Sequence, residues 1–337
     1  MDIQNLTKQG LLELERASKT KIEISADYLI CFLPSLVGIL CLLEYYLLPN
    51  YELNTITNIY GAFIGIFVTF FFLAFIMSFI NKSVFEKLRY KAPFITFVFL
   101  LLIIYDYMTL KTGTLILPYF PWIDRILNAM ISDWKYLLDC VKNSVVLLFT
   151  GYFTGAILGL ITGIACGYSK KVSYWISPFI KLLGPIPSTT WIPIVMVVMA
   201  SLFKGAIFII ALGVWFATTI ATITGISNVE VAYFEAAKTL GANSRQLVFG
   251  IAIPNAMPNI LQGLTQGMSS ACTSLLVAEM LGVESGLGWY ITWQKSWAEF
   301  SKMYGAIILI CLIFIVVNKF LAMIKKHVLK WQEGVIQ

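Results

Sequence analysis

Apolar stretches long enough to cross about 30 Å of hydrocarbon recur along the whole chain, and they limit its fold more than any other feature. A backbone in lipid must satisfy its own hydrogen bonds, so runs of this length and type have to be helices. A transmembrane β-barrel would show segments of about 10 residues with alternating polarity, and none occur in the sequence. Charged residues make up 12% of the chain, against about 25% in ordinary soluble domains. The expected fold is therefore all-α: a polytopic membrane protein with about eight transmembrane helices. The expected spans are 28–48, 58–80, 93–110, 141–168, 179–203, 206–227, 259–283 and 303–324. Prolines interrupt the fifth.

The basic residues indicate an orientation. The segment 49–57 has no Lys or Arg, whereas 81–92 carries Lys82, Lys87, Arg89 and Lys91. Lys170 and Lys171, and then Lys319, Lys325, Lys326 and Lys330, fall on the same side as 81–92 when the spans are counted. The positive-inside bias makes that side cytoplasmic and predicts that both termini are cytoplasmic. The net charge of +6 is spread over short loops rather than gathered in a patch, so no nucleic-acid partner is expected. Cys31, Cys41, Cys140, Cys166, Cys272 and Cys311 include no pair with CxxC spacing and mostly lie inside apolar runs. They read as small buried hydrophobes rather than a disulfide or zinc framework. His327 is the single histidine, so no metal site is expected. No cleavable signal peptide is expected either, because the first long apolar run exceeds an h-region. Glu44, Asp106 and Glu279 fall near span ends and are expected to face the interface rather than to carry protons.

Three side-chain patterns stand out inside the apolar segments. Gly151, Gly155, Gly159, Gly163 and Gly167 recur at every fourth position, which makes a smooth helix face that another backbone can approach closely. That face could serve static packing or a sliding contact. Gln262, Gln266, Ser269, Ser270 and Thr273 fall along one stripe of the seventh span. Polar groups avoid lipid, so the stripe lines a translocation path or bonds to a neighbouring helix. Trp289, Trp293 and Trp297 are spaced by four, which sets three indoles on one helix face. Either an interfacial aromatic belt or an outer lid would use them this way.

A loop at about 228–258 separates the sixth and seventh spans. It contains Glu235-Ala236-Ala237, then Gly241, then Ile251-Ala252-Ile253-Pro254. The spacing predicts a short helix, a glycine break and a second short helix that proline closes. Two flat helices bearing small alanines form a knob on which another protein can dock.

This loop resembles the EAA motif of ABC importer permeases, with Ile253 where leucine is usual. The resemblance covers roughly 93–334. It is similar to the nitrate/sulfonate/taurine branch at Leu117-Pro118-x-x-Pro121-Trp122, at Gly184-Pro185-Ile186-Pro187, at Trp191-Ile192-Pro193, and at Ala278-Glu279 with Gly286-Leu287-Gly288. It implies a six-helix type I permease core over 93–330, and a coupling role for Glu235, Ala236, Ala237, Gly241, Ile251 and Pro254 against an ATPase subunit. Residues 1–92 would add a cytoplasmic segment and two extra helices, as peripheral packing or as a partner contact. The implied partners are ABC ATPase subunits, an extracellular or periplasmic substrate-binding protein and a second copy of the chain, in a bacterial inner membrane. The chain has no G-x-x-x-x-G-K-[ST] phosphate loop, so it is expected to be non-catalytic, with ATP and Mg bound by the partner ATPase. The substrate implied by the branch is a small organic or inorganic anion, such as a sulfonate or nitrate-like solute. A vitamin or pyrimidine-type precursor is the alternative, and a stand-alone secondary transporter the remote one.

Overall fold

The computed structural model describes residues 21–330 apart from 53 and 200. The chain termini, and with them the expected cytoplasmic segment before residue 21, lie outside the described residues. Among the described residues every regular element is helical. The chain divides into two compact units, Met1–Ala129 and Met130–Gln337.

The first unit contains α1 (Lys21–Leu47), α2 (Ile59–Ser78) and α3 (Lys82–Asp106), with a π-helical turn over Tyr107–Lys111 after α3. The boundary expected at 92/93 falls inside α3. That helix packs with α1 and α2 around Val37, Cys41, Tyr60, Val68 and Phe99, so the compact unit runs on to Ala129. Pro93 does not begin a span, as expected, but sits inside α3. The α2–α3 turn is fixed by Asn81, whose side chain accepts from Ser83 N at 2.9 Å. Arg89 on α3 pairs with Asp27 on α1 at 2.6 Å.

The interface placement expected for Asp106 is wrong: its carboxyl is fully buried. The adjacent Lys111 ammonium donates to Tyr45 O (2.7 Å), Leu48 O (2.9 Å) and Asn50 Oδ1 (2.9 Å). It caps carbonyls that the end of α1 would otherwise leave unpaired.

A short helix, α4 (Ile123–Ser132), precedes the long helices of the second unit. These are α5 (Trp134–Tyr168), the bent pair α6 (Lys170–Leu183) and α7 (Ile192–Val198), and α8 (Leu202–Ser227). After α8 come α9 (Val231–Thr239), α10 (Ser244–Leu247), α11 (Ile253–Gly282), α12 (Leu287–Ser296) and α13 (Phe300–Val328). The centre is α8, between α5 and α11.

The glycine ladder of α5 meets a matching ladder on α8. A methyl group added at Gly151, Gly155, Gly159, Gly163 or Gly167 would strike Ile210, Val214, Thr218, Thr222 or Ile226 respectively. Both rows repeat every four residues, which is ridge-to-ridge packing of two i±4 rows. The row numbers rise together, so α5 and α8 run parallel. On its other side α8 meets Gly263 and Gly267 of α11 through Ala221 and Val214, and there the numbers run in opposite directions.

This register settles the fifth span. The ladder from residue 151 to 167 spans about 24 Å at 1.5 Å per residue, and α8 retraces it in the same direction. The intervening α6–α7 segment must therefore return across the same thickness. It does so as two helices bent by 85°, not as the single span expected over 179–203. Pro185 and Pro187 both lack the N–H that a helix would direct to Lys181 O and Leu183 O, and two such losses within one turn break the helix at 184–187. With seven straight candidates, this gives eight crossings among the described residues.

Candidate functional site

The 228–258 loop is built as its spacing predicts on one side of Gly241 and differently on the other. Helix α9 ends at Gly241, whose φ of 83° lies in the left-handed region that glycine alone adopts without strain. Gly241 N donates to Lys238 O at 2.9 Å and Ala242 N to Ala237 O at 3.0 Å. This pairing is a Schellman end. Asn243 then starts α10 with a reciprocal cap: its side chain accepts from Gln246 N at 3.0 Å, and Gln246 Oε1 accepts from Asn243 N at 2.8 Å.

The expected proline stop does not occur. A π-helical turn over Val248–Ala252 carries the chain straight into α11. Pro254 lacks the N–H that Gly250 O would otherwise receive, and the wider turn absorbs that loss. The segment Ser244–Gly282 is thus one long span, where 259–283 was expected.

The pair is anchored from beneath. Ala252, Ala256 and Ile260 pack with Ile226 at the end of α8, and Phe234 packs against them. Nothing in α9 is buried: Glu235 and Ala236 are exposed and Ala237 is half-buried. Ile251 is half-buried and Pro254 exposed at the start of α11. Leu240 and Phe249 are 88% and 71% exposed, and Val231 and Tyr233 are exposed beside them. A rigid, anchored knob with bare apolar side chains fits a protein partner better than water.

Gln262, Gln266, Ser269 and Thr273 are all exposed on one face of α11, away from α8. Ser270 leaves the stripe: it is half-buried, with its Oγ beside Gly213 of α8. Ser269 and Thr273 bond to carbonyls of their own helix, and Gln262 Oε1 accepts from Lys325 Nζ of α13 at 2.6 Å. That bond puts the basic end of α13 on the loop's side of the unit. The parallel register of α5 and α8 puts Lys170 and Lys171 there too.

At the opposite end Trp289, Trp293 and Trp297 form a ladder. The first two rings stack at 5.3 Å and the next pair lies at 6.1 Å. The expectation that Glu279 faces the interface fails. Its side chain is buried; Ser144 Oγ donates to Oε1 at 2.7 Å and Gly288 N to Oε2 at 2.8 Å. Leu287 N donates in turn to Ser144 Oγ at 2.8 Å. The carboxylate therefore sits on the positive end of α12 and holds the tryptophan helix to α11 and α5. A Cβ at Gly286 or Gly288 would collide with Glu279. Sequence reasoning noted Ala278-Glu279 and Gly286-Leu287-Gly288 as a resemblance and missed that they are two halves of one contact. The signal was present, as glycines seven and nine residues beyond a lone acid in an apolar span.

A helical core long and apolar enough to span a membrane, with an exposed helix pair between α8 and α11, is the architecture of a transport permease. Residues 155–332 match the binding-protein-dependent transport system inner membrane component family, and the chain belongs to it. It is an ABC importer permease for small solutes.

The chain is 27% identical over 220 residues to a putative ABC transporter permease of Methanocaldococcus jannaschii, covering 63% of this chain and 82% of that one. It is 30% identical over 168 residues to a putative aliphatic sulfonates transport permease of Bacillus subtilis, covering 50% and 61%. It is 27% identical over 141 residues to a nitrate import permease of Synechococcus elongatus, covering 42% and 50%. An inward-facing structure of a methionine ABC transporter shares its fold, with a TM-score of 0.50 and 18% identity over 58% of this chain and 98% of that one.

Proposed function

We propose that this chain forms the translocation path for a small organic or inorganic anion, such as a sulfonate or a nitrate-like solute. An external binding protein delivers the solute, and paired ATPases that bind ATP and Mg drive the cycle. Two copies face each other across the path in the cell (inner) membrane, with both termini cytoplasmic. Gln262, Gln266, Ser269 and Thr273 line the path, and Trp289, Trp293 and Trp297 form its outer lid. Residues 1–92 add a cytoplasmic segment and two helices to a six-helix core over 93–330, whose first helix, α3, begins ahead of residue 93 and packs on α1 and α2. The anion reading is supported by the sulfonate and nitrate permeases among the relatives.

One observation carries the energy-coupled reading. The helix pair around Gly241 is rigid in itself, anchored on α8 and α11, and bare on its outer surface. A push on Glu235, Ala236 and Ala237 therefore reaches α8 and α11 through Phe234, Ile226, Ala252 and Ala256, with Ile251 and Pro254 at the start of α11. Gly241→Pro tests it, because proline holds φ near about −65° where the turn needs a positive value. The expected outcome is normal membrane insertion and ATPase assembly with solute uptake lost and ATP hydrolysis uncoupled from it. Normal uptake at normal expression would count against the coupling role.

A further inference from the structure

The first unit forms an open cavity of about 590 Å³ between the chain that follows α1 and the stretch from Gly113 to Asn128. Small-molecule sites commonly run from about 300 to 1,000 Å³. The cavity belongs to none of the elements that serve the coupling loop or the α11 stripe. It also takes in Leu117 and Trp122 of the Leu117-Pro118-x-x-Pro121-Trp122 segment, which the transport reading leaves without a task.

The cavity walls are pinned by polar bonds, one of them fully buried and the others half-buried. Asp124 is fully buried and accepts from Thr57 Oγ1 at 2.8 Å, Tyr60 N at 2.9 Å and Thr57 N. Asn54 Nδ2 donates to Thr109 O and Leu110 O, each at 3.2 Å, and Tyr51 N donates to Leu110 O at 3.0 Å. Pinned in this way, the loop holds Glu52 at a φ of 43°, a left-handed conformation that a glutamate adopts only under strain. Strain of this kind gathers at ligand sites.

The charges in the wall are the informative part. Asp124 already accepts from three donors, on both of its oxygens. Glu52 and Arg125 both line the cavity, carry opposite charges, and are both exposed. Among the described residues neither forms an ion pair, with the other or with anything else. Arg125 lies over the Trp122 ring with its guanidinium 5.5 Å from the centroid, which holds it in place. The Glu52 carboxylate stands beside the Tyr51 hydroxyl and raises that phenol's pKa above its ordinary value. Leu115, Ile116 and Leu117 supply an apolar floor.

We infer that this cavity is a binding site for a small zwitterion with a short apolar spacer, its acid group on Arg125 and its ammonium on Glu52. An anion alone would share the cavity with the like charge of Glu52, and a cation alone with that of Arg125. A ligand that carries both charges satisfies both residues and lays its spacer on the apolar floor. The site rests on the first unit alone and requires neither the ATPases nor the α11 path.

Calorimetric titration of the purified full-length chain in detergent tests this with three probes of one length: 3-aminopropane-1-sulfonate, propane-1-sulfonate and propan-1-amine. The zwitterion should bind saturably, about one per chain, and about ten-fold or more tighter than either singly charged probe. Arg125→Gln and Glu52→Gln should each weaken it about ten-fold or more, the scale of one charge-assisted hydrogen bond. Arg125→Lys, which keeps the charge and loses the planar stack on Trp122, should retain part of the affinity. Absence of saturable zwitterion binding, or equal affinity for propane-1-sulfonate, would overturn the assignment. So would unchanged affinity in a folded Arg125→Gln chain. The probe comparison on the unmutated chain decides even where a variant fails to fold.

Discussion

Consider Gly155→Ala, a single added methyl group in the α5–α8 seam. On the existing backbone that methyl would stand 2.8 Å from Val214 Cβ and 2.9 Å from Ala211 Cα, and would also strike Ala211 O. Carbon atoms rest at about 3.5–4.0 Å, so the seam has to open by roughly 1 Å. Two of the three obstructing atoms belong to the α8 backbone, so no side-chain rotation relieves the clash. The row continues at Gly151 and Gly159, where opening the helices would cost further packing. Overpacking of this kind costs about 1–3 kcal/mol. Alanine's advantage in helix propensity, up to about 1 kcal/mol, offsets only part of that.

Gly65→Ala on α2 is the matched control, because an added methyl there meets nothing within 4 Å. Thermal unfolding in detergent, followed by loss of the monodisperse peak, should place Gly155→Ala a few °C below wild type and Gly65→Ala level with it or above. Gly155→Leu should not yield a folded chain. A Gly155→Ala protein as stable as Gly65→Ala would refute the claim that close backbone approach holds α5 against α8.

The other predictions concern the outer helix, the orientation and the path. Glu279→Ala leaves Gly288 N without its acceptor and removes the bond from Ser144 Oγ; each buried loss is worth about 1–3 kcal/mol. It should loosen α12, seen as increased proteolysis near 283–288 while α5 and α8 stay protected; unchanged digestion would argue against Glu279 as the anchor. With the native cysteines removed, a reporter cysteine at Lys87 or Arg245 should resist an impermeant thiol reagent in intact cells. One at Asn54 or Ser285 should react, and the opposite pattern would invert the orientation. A cysteine at Gln266 or Thr273 should cross-link to its counterpart in a second copy and block uptake, whereas one at Ile315, on α13, should not. Equal cross-linking at all three positions would remove the α11 stripe from the path.

The membrane class, the straight apolar spans and the 228–258 loop as far as Gly241 were legible in the sequence because each rests on local physics. Hydrocarbon thickness sets the length of an apolar run. The change from Ala237 to Gly241 ends a helix through bonds that reach no further than Ala242. The spacing of Trp289, Trp293 and Trp297 is itself a helix face. The glycine row of α5 was equally plain as a smooth surface, yet its partner was not, because Ile210, Val214, Thr218, Thr222 and Ile226 look like any apolar residues until register pairs them. That pairing made α5 and α8 parallel and thereby turned the proline-broken α6–α7 into a crossing. The α5–α8 pairing is a relation between distant segments, which no local pattern encodes. The same holds for Glu279, which hydropathy placed at an interface and which packing buried against Ser144 and Gly288. It holds too for Glu52 and Arg125, unremarkable apart, which only the folding of the first unit brought to one cavity. Tertiary structure decided these because the free energy of a polar or charged group depends on what surrounds it. Far more than on its own position in the chain, that depends on which remote segment packs beside it.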